Sequence, residues 1–127
     1  MNIMLCVHNN CKGKTNKNSM QAERLKILLE FLEQEPNEPF NIYAVAMEYL
    51  NSDKKTALFY LEKLSAEHEN YLPTYYHLAA IYTEFGENEK AVEIYKKGIE
   101  IAEKQEKMNA LRELRGALQQ LLDEMEE

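Results

Sequence analysis

One arrangement of large and small apolar residues occurs twice in this sequence, with the second copy 33 or 34 residues after the first. The first copy is Ile42, Val45, Ala46, Tyr49, Ala57, Leu61 and Leu64, and the second is Tyr75, Leu78, Ala79, Tyr82, Ala91, Tyr95 and Gly98. A period of this length is typical of stacked helical hairpins, because one hairpin alone cannot bury its apolar face. Small residues let paired helices approach closely, and large residues fill the space beside them. We therefore expect these residues to pack the repeats together.

Helical spacing of apolar residues, interrupted by turn residues, divides the chain into about six helices. With only 4 Gly and 3 Pro, the sequence has too few turn formers for an all-β fold. Asn37 and Asp53 are expected to cap the second and third helices, since short polar side chains accept hydrogen bonds from unpaired amides. We expect a capping helix over 20–35, hairpins over 39–67 and 71–103, and a second capping helix over 109–127.

Residues 1–19 show no helical periodicity and are expected to form a disordered tail. An alternative is that translation begins at Met20, so that this tail lies upstream of the true start. Cys6, His8 and Cys11 provide three side chains that can bind a metal, but zinc prefers four ligands, and no second ligand pair follows. The segment 13–15 ends like a phosphate-binding loop but lacks the preceding glycine and strand. We therefore predict no metal site and no nucleotide cofactor.

The charge of the chain is unevenly distributed. Residues 1–19 contain three of the 15 basic residues and none of the 22 acidic residues, so 20–127 has a net charge of −10. Such a charge repels phosphate and predicts that the chain binds neither nucleic acid nor anionic membrane surfaces. No apolar run approaches the ~20 residues of a membrane span, and the sequence predicts a cytoplasmic protein.

The second copy of the pattern resembles the tetratricopeptide repeat. The spacing Tyr75-x2-Leu78-Ala79-x2-Tyr82, followed by Ala91-x3-Tyr95, fits the signature of that family well, and the first copy fits it more loosely. Arg24 and Arg115 stand where the family has small residues, which indicates end caps rather than further repeats. The resemblance implies an all-α, right-handed solenoid of antiparallel helix hairpins. An unrelated all-helical bundle remains the alternative.

In that family, the first helix of each hairpin lines a concave groove that binds a peptide or a helix of a partner protein. By this resemblance the groove residues would be Phe40, Tyr43, Met47, Leu50, Pro73, Tyr76, Ala80 and Thr83. Some members hold the carboxylate at a chain terminus with Lys and Asn, whose places Tyr43 and Met47 occupy here. The resemblance therefore implies a protein-interaction module without that clamp.

Two alternatives stay open for the function of such a groove. The end helices could cover it, or the apolar stripe from Leu111 to Met125 could pair with a second copy to form a homodimer. An enzyme is not predicted, because His77 has no Cys, Ser or Asp partner at matching spacing. His77 is instead expected to be a surface or half-buried helix residue.

Overall fold

The structure, a computed structural model, describes residues 19–127, and each regular element within this range is an α-helix. The expectations for the tail, for Cys6, His8 and Cys11 and for the segment 13–15 lie outside the described residues. The helices are α1 (19–34), α2 (Pro39–Tyr49), α3 (Lys54–Glu67), α4 (Pro73–Glu84), α5 (Asn88–Gln105) and α6 (Met108–Met125).

The main packing contacts join helices that follow one another in the chain, from α2 and α3 through to α5 and α6. Short connections of this kind produce antiparallel neighbours, and the successive hairpins stack on one another. The all-α fold of stacked hairpins predicted by the repeat is confirmed. At the N-terminal end, the guanidinium of Arg24 donates two hydrogen bonds, of 2.8 and 2.9 Å, to the carboxylate of Glu48 and so ties α1 to α2.

The two predicted helix caps have different outcomes. Asp53 caps α3 as expected, because its carboxylate accepts hydrogen bonds from the backbone N–H and the hydroxyl of Thr56. The prediction for Asn37 is wrong, since Glu38 occupies the N-cap position of α2 without a side-chain hydrogen bond. The physical reason is Pro39, which has no N–H to cap and favours extended backbone at the residue before it. Glu38 has that backbone, with φ −81° and ψ 113°.

The helices α4 and α5 end with the same backbone motif. After α4, Gly86 has a left-handed φ of 79°, and the N–H of Glu87 donates to the carbonyl of Tyr82 at 2.8 Å. After α5, Glu106 has a left-handed φ of 57°, and the N–H of Lys107 donates to the carbonyl of Ala102 at 3.0 Å. A helix end of this kind, the Schellman motif, usually has glycine at the left-handed position. Glutamate therefore occupies a strained position between α5 and α6.

The core follows the two copies of the repeat pattern. Of the fourteen residues in the two copies, thirteen are buried, and the remaining one, Tyr49, is half-buried. Gly98 lies at the closest approach of α5 to α4, where a methyl group in place of its hydrogen would come within 2.7 Å of the Tyr75 Cβ. The Tyr75 hydroxyl donates to the carbonyl of Glu69 at 2.5 Å, which fixes the ring in this crossing.

Candidate functional site

A cavity of about 930 Å³ opens between α2, α4 and α6. Its walls also include the connection before α4 and the connection between α5 and α6. Three of the predicted groove residues line it, namely Tyr43 from α2 and Pro73 and Tyr76 from α4. These three side chains thus share one concave surface.

The other five predicted groove residues lie outside this cavity. Phe40 is 60% exposed, whereas Leu50, Ala80 and Thr83 are half-buried. Met47 lines a smaller hollow of about 380 Å³ that it shares with residues of α1, including Arg24. Of the eight predicted groove residues, three therefore line the cavity near α6, one lines the hollow near α1, and four line neither.

Several residues of the cavity were not predicted from the sequence. The sequence predicts that Tyr71 begins the second hairpin, but α4 begins only at Pro73, so Tyr71 belongs to the preceding turn. His77 also lines the cavity, one position after Tyr76. A wider groove-facing arc on α4 would have included it. The sequence contains no comparable signal for the third part of the cavity wall, which the end of α5, the α5–α6 connection and the start of α6 contribute. Its residues are Gln105, Glu106, Lys107, Met108, Asn109, Ala110, Glu113 and Leu114.

Four side chains form an aromatic cluster in the cavity wall: Tyr43, Tyr71, Tyr76 and His77. The ring centroids of Tyr43 and Tyr71 are 5.7 Å apart and those of Tyr43 and His77 are 5.9 Å apart, both with tilted ring planes. The rings of Tyr76 and His77 meet edge to face with centroids 5.8 Å apart. Tilted and edge contacts at these separations are the favourable geometries for aromatic pairs. The cluster therefore joins α2, the turn before α4, and α4 in one surface.

Burial favours the uncharged forms of Tyr43, Tyr71 and His77 in the aromatic cluster. Burial lowers the pKa of His77 below its usual 6.5, which favours the uncharged imidazole. Burial raises the pKa of Tyr43. Burial is also the main cause that raises the pKa of Tyr71, and electrostatic repulsion from Tyr43 and Glu38 adds to it. Both phenols therefore keep their protons and can donate hydrogen bonds.

The charged groups of the cavity lie on the side formed by α5 and α6. Glu106, Lys107 and Glu113 line it, together with the amide side chains of Asn70, Gln105 and Asn109. Within residues 19–127, no group of three or more His, Cys, Asp or Glu side chains could hold a metal ion. No helix in the same part of the chain is long and apolar enough to cross a membrane. The arrangement is thus an aromatic wall facing a polar rim.

Stacked hairpins with a cavity on one face define a helical-repeat protein, and comparison with known proteins identifies the kind. Residues 72–105 match the family model of the tetratricopeptide repeat. The chain is similar to a tetratricopeptide repeat domain protein from Salinibacter ruber, with 34% identity over 68% of this chain and 89% of that chain. The TM-score to its solution NMR structure is 0.65. This chain therefore belongs to the tetratricopeptide repeat family.

Two further solved structures share the fold. A crystal structure of a Salinibacter ruber tetratricopeptide repeat domain protein is 34% identical over 66% of this chain and 96% of that chain, with a TM-score of 0.64. The first tetratricopeptide repeat domain of Spaghetti, bound to the HSP90 peptide SRMEEVD, is 21% identical over 84% of this chain and 86% of that chain, with a TM-score of 0.60. The search of curated proteins produced no match. The tetratricopeptide fold is generally a protein–protein interaction module and is typically not an enzyme.

Proposed function

We propose that the cavity between α2, α4 and α6 binds a peptide segment of a partner protein. The aromatic cluster of Tyr43, Tyr71, Tyr76 and His77 carries this proposal. Tyrosine supplies a large, stiff contact area at low cost in conformational entropy, and buried aromatic residues are the commonest anchors of interfaces. The cavity volume of about 930 Å³ lies within the range of ligand sites and would hold a few side chains of a peptide.

The rim of the cavity supplies groups that suit a peptide backbone. Asn70, Gln105 and Asn109 carry side-chain amides, each with donors and an acceptor. The amide of Gln105 already donates to the backbone carbonyl of Asn70 at 2.7 Å, which joins the end of α5 to the connection before α4. An apolar wall with polar groups at its edge is the usual anatomy of a peptide-binding interface. We therefore favour an extended segment over a long helix as the occupant.

Self-association through α6 is less well supported than peptide binding. Leu111, Leu114 and Leu121 are buried in the core, so most of the predicted stripe already packs against the rest of the chain. Leu122 is half-buried and Met125 is 42% exposed. The unused part of the stripe is short, whereas a two-stranded coiled coil needs a stripe sustained over several heptads.

A capture experiment with matched variants tests the proposed function. Wild-type protein, the double variant Tyr43→Ala/Tyr76→Ala, and Phe59→Ala are immobilised, and the proteins recovered from native lysate are quantified by mass spectrometry. Phe59 is the control because it is 61% exposed on α3 and does not line the cavity. We expect specific partners to be retained by wild type and Phe59→Ala and lost from the double variant. Equal recovery by all three proteins, with melting temperatures preserved, would refute binding at this cavity.

A further inference from the structure

We infer that the aromatic cluster receives a basic side chain of the bound peptide, with arginine preferred over lysine. This inference rests on the proposed function and specifies the chemistry of the partner. Three independent features support it: the charge of the helical body, the charges that line the cavity, and the orientation of the tyrosine rings.

The net charge of the helical body is negative and attracts cations at long range. Residues 20–127 carry 12 basic and all 22 acidic residues of the chain. A net charge of −10 on a domain of this size favours encounter with basic segments and disfavours acidic ones. The long-range field therefore favours encounter with a cationic segment.

The carboxylates that line the cavity are available for a ligand. Glu106 and Glu113 both border it, and neither takes part in an ion pair within the described residues. Lys107 also borders the cavity, so the lining carries one more negative than positive charge. On α6, the nearby Arg115 is paired with Glu103 at 2.9 Å. The local charge thus has the same sign as that of the whole body.

The tyrosine rings offer faces that suit a planar cation. The planes of Tyr43 and Tyr71 are inclined by 59°, so the two rings form walls with different directions. A guanidinium can stack on one such face and still present its N–H groups to a carboxylate, which an ammonium does less well. The chain already contains one contact of this chemistry, since the ammonium nitrogen of Lys90 lies 5.6 Å from the ring centroid of Tyr82.

The histidine in the cluster does not oppose a bound cation near neutral pH. Burial lowers the pKa of His77, so the imidazole between Tyr43 and Tyr76 is uncharged there. An uncharged imidazole can accept a hydrogen bond from a guanidinium N–H. The whole aromatic wall is therefore compatible with a positive side chain.

Selection from a random peptide library, followed by binding measurements, tests this inference. A library of 12-residue peptides displayed on phage is selected on the full chain, and the best peptide is synthesised with arginine, lysine or citrulline at the enriched position. Citrulline keeps the shape of arginine without its charge. We expect enrichment of arginine and about tenfold weaker binding of the citrulline peptide, with lysine between the two.

Two protein variants locate the effect. Glu113→Gln removes a carboxylate at the cavity, and Glu93→Gln removes an exposed carboxylate on α5 that does not line it. We expect Glu113→Gln to weaken the arginine peptide several-fold but not the citrulline peptide, and Glu93→Gln to change neither.

The failure of this inference is distinguishable from the failure of the proposed function. Selected peptides that need Tyr43 and Tyr76 but lack basic residues, or that bind equally well with citrulline, would overturn the preference for a cation and leave peptide binding intact. Selected peptides that bind the Tyr43→Ala/Tyr76→Ala variant as well as wild type would overturn both. A library that produces no binder would also overturn both.

Discussion

The close crossing of α4 and α5 at Gly98 leads to a quantitative prediction for Gly98→Ala. A Cβ at this position would lie 2.7 Å from the Cβ of Tyr75 and 3.2 Å from the Cδ1 of Leu114. The leucine methyl is the end of a flexible side chain and can move. The Tyr75 Cβ cannot, because it is attached to the backbone of α4, and its ring is anchored by the hydrogen bond to Glu69. The two helices must therefore separate to admit the methyl group.

Two opposing terms set the size of the effect. Replacing glycine by alanine inside a helix favours folding by about 1 kcal/mol, because alanine loses less backbone entropy. Overpacking a tight core contact costs about 1–3 kcal/mol. Since the Tyr75 Cβ cannot give way, we expect a steric cost in the upper part of that range, about 2–3 kcal/mol. After the gain of about 1 kcal/mol from alanine, the free energy of unfolding should fall by about 1–2 kcal/mol. The melting temperature should then fall by roughly 5–10 °C.

Gly116→Ala is the matched control for this experiment. Gly116 lies inside α6, and a Cβ built on it would meet nothing within 4 Å. Only the helix-propensity term applies there, so the free energy of unfolding should rise by about 0.5–1 kcal/mol. Urea titration followed by circular dichroism at the helix band measures both variants, with equal denaturant slopes as the check that the unfolding reaction is unchanged. If Gly98→Ala proved as stable as Gly116→Ala, the assigned crossing of α4 and α5 would be wrong.

The other predictions concern strain, protonation and core volume. Glu106→Gly should raise the free energy of unfolding by about 0.4–1 kcal/mol because glycine adopts the left-handed backbone without strain. Gly86→Ala, at the equivalent position after α4, should lower the free energy of unfolding. A lower stability in both variants would contradict the helix-end motif that the two positions share. Because burial lowers the pKa of His77 below 6.5, its contribution to stability is present above that pH and is lost as the pH falls through the native pKa. The melting temperature of wild type should therefore fall more steeply between pH 7 and pH 5 than that of His77→Gln, and parallel curves would exclude His77 as the cause. Ala91 is fully buried and tests the packing of α5 in the repeat. Ala91→Leu should lower the free energy of unfolding by about 1–3 kcal/mol, measured by chemical denaturation. An unchanged denaturation midpoint would show that the pairing of α4 and α5 is wrong.

The repeat period carried most of the information about the fold. Small and large apolar residues 33 or 34 positions apart predicted the helix pairs, and the cap at Asp53 followed from a short polar side chain before a helical run. The position of Asn37 was misread because a cap needs a free amide, and Pro39 removes one. The capping rule thus succeeded at Asp53, where the amide that the cap needs is free, and failed at Asn37, where a proline removes it.

The composition of the cavity depended on how elements stack, which local patterns do not encode. Tyr71 borders the cavity from the turn before α4, which begins two residues later than the periodicity predicts. Glu106 and Glu113 border it because the stacking of α6 on α5 brings the connection between them beside α4. Apolar spacing describes the buried face of each helix and contains no information about which loop lies opposite the exposed face.

The dependence of each helix on its neighbours in the chain has a consequence for motion. Because the main contacts among α2 to α6 join successive helices, α6 packs mainly against α5. Amide hydrogens in α6 should therefore exchange with solvent sooner than those in α4, which is packed from both sides. The α6 side of the cavity rim thus belongs to an end of the stack, and an occupant would slow the opening of that end as well as fill the space.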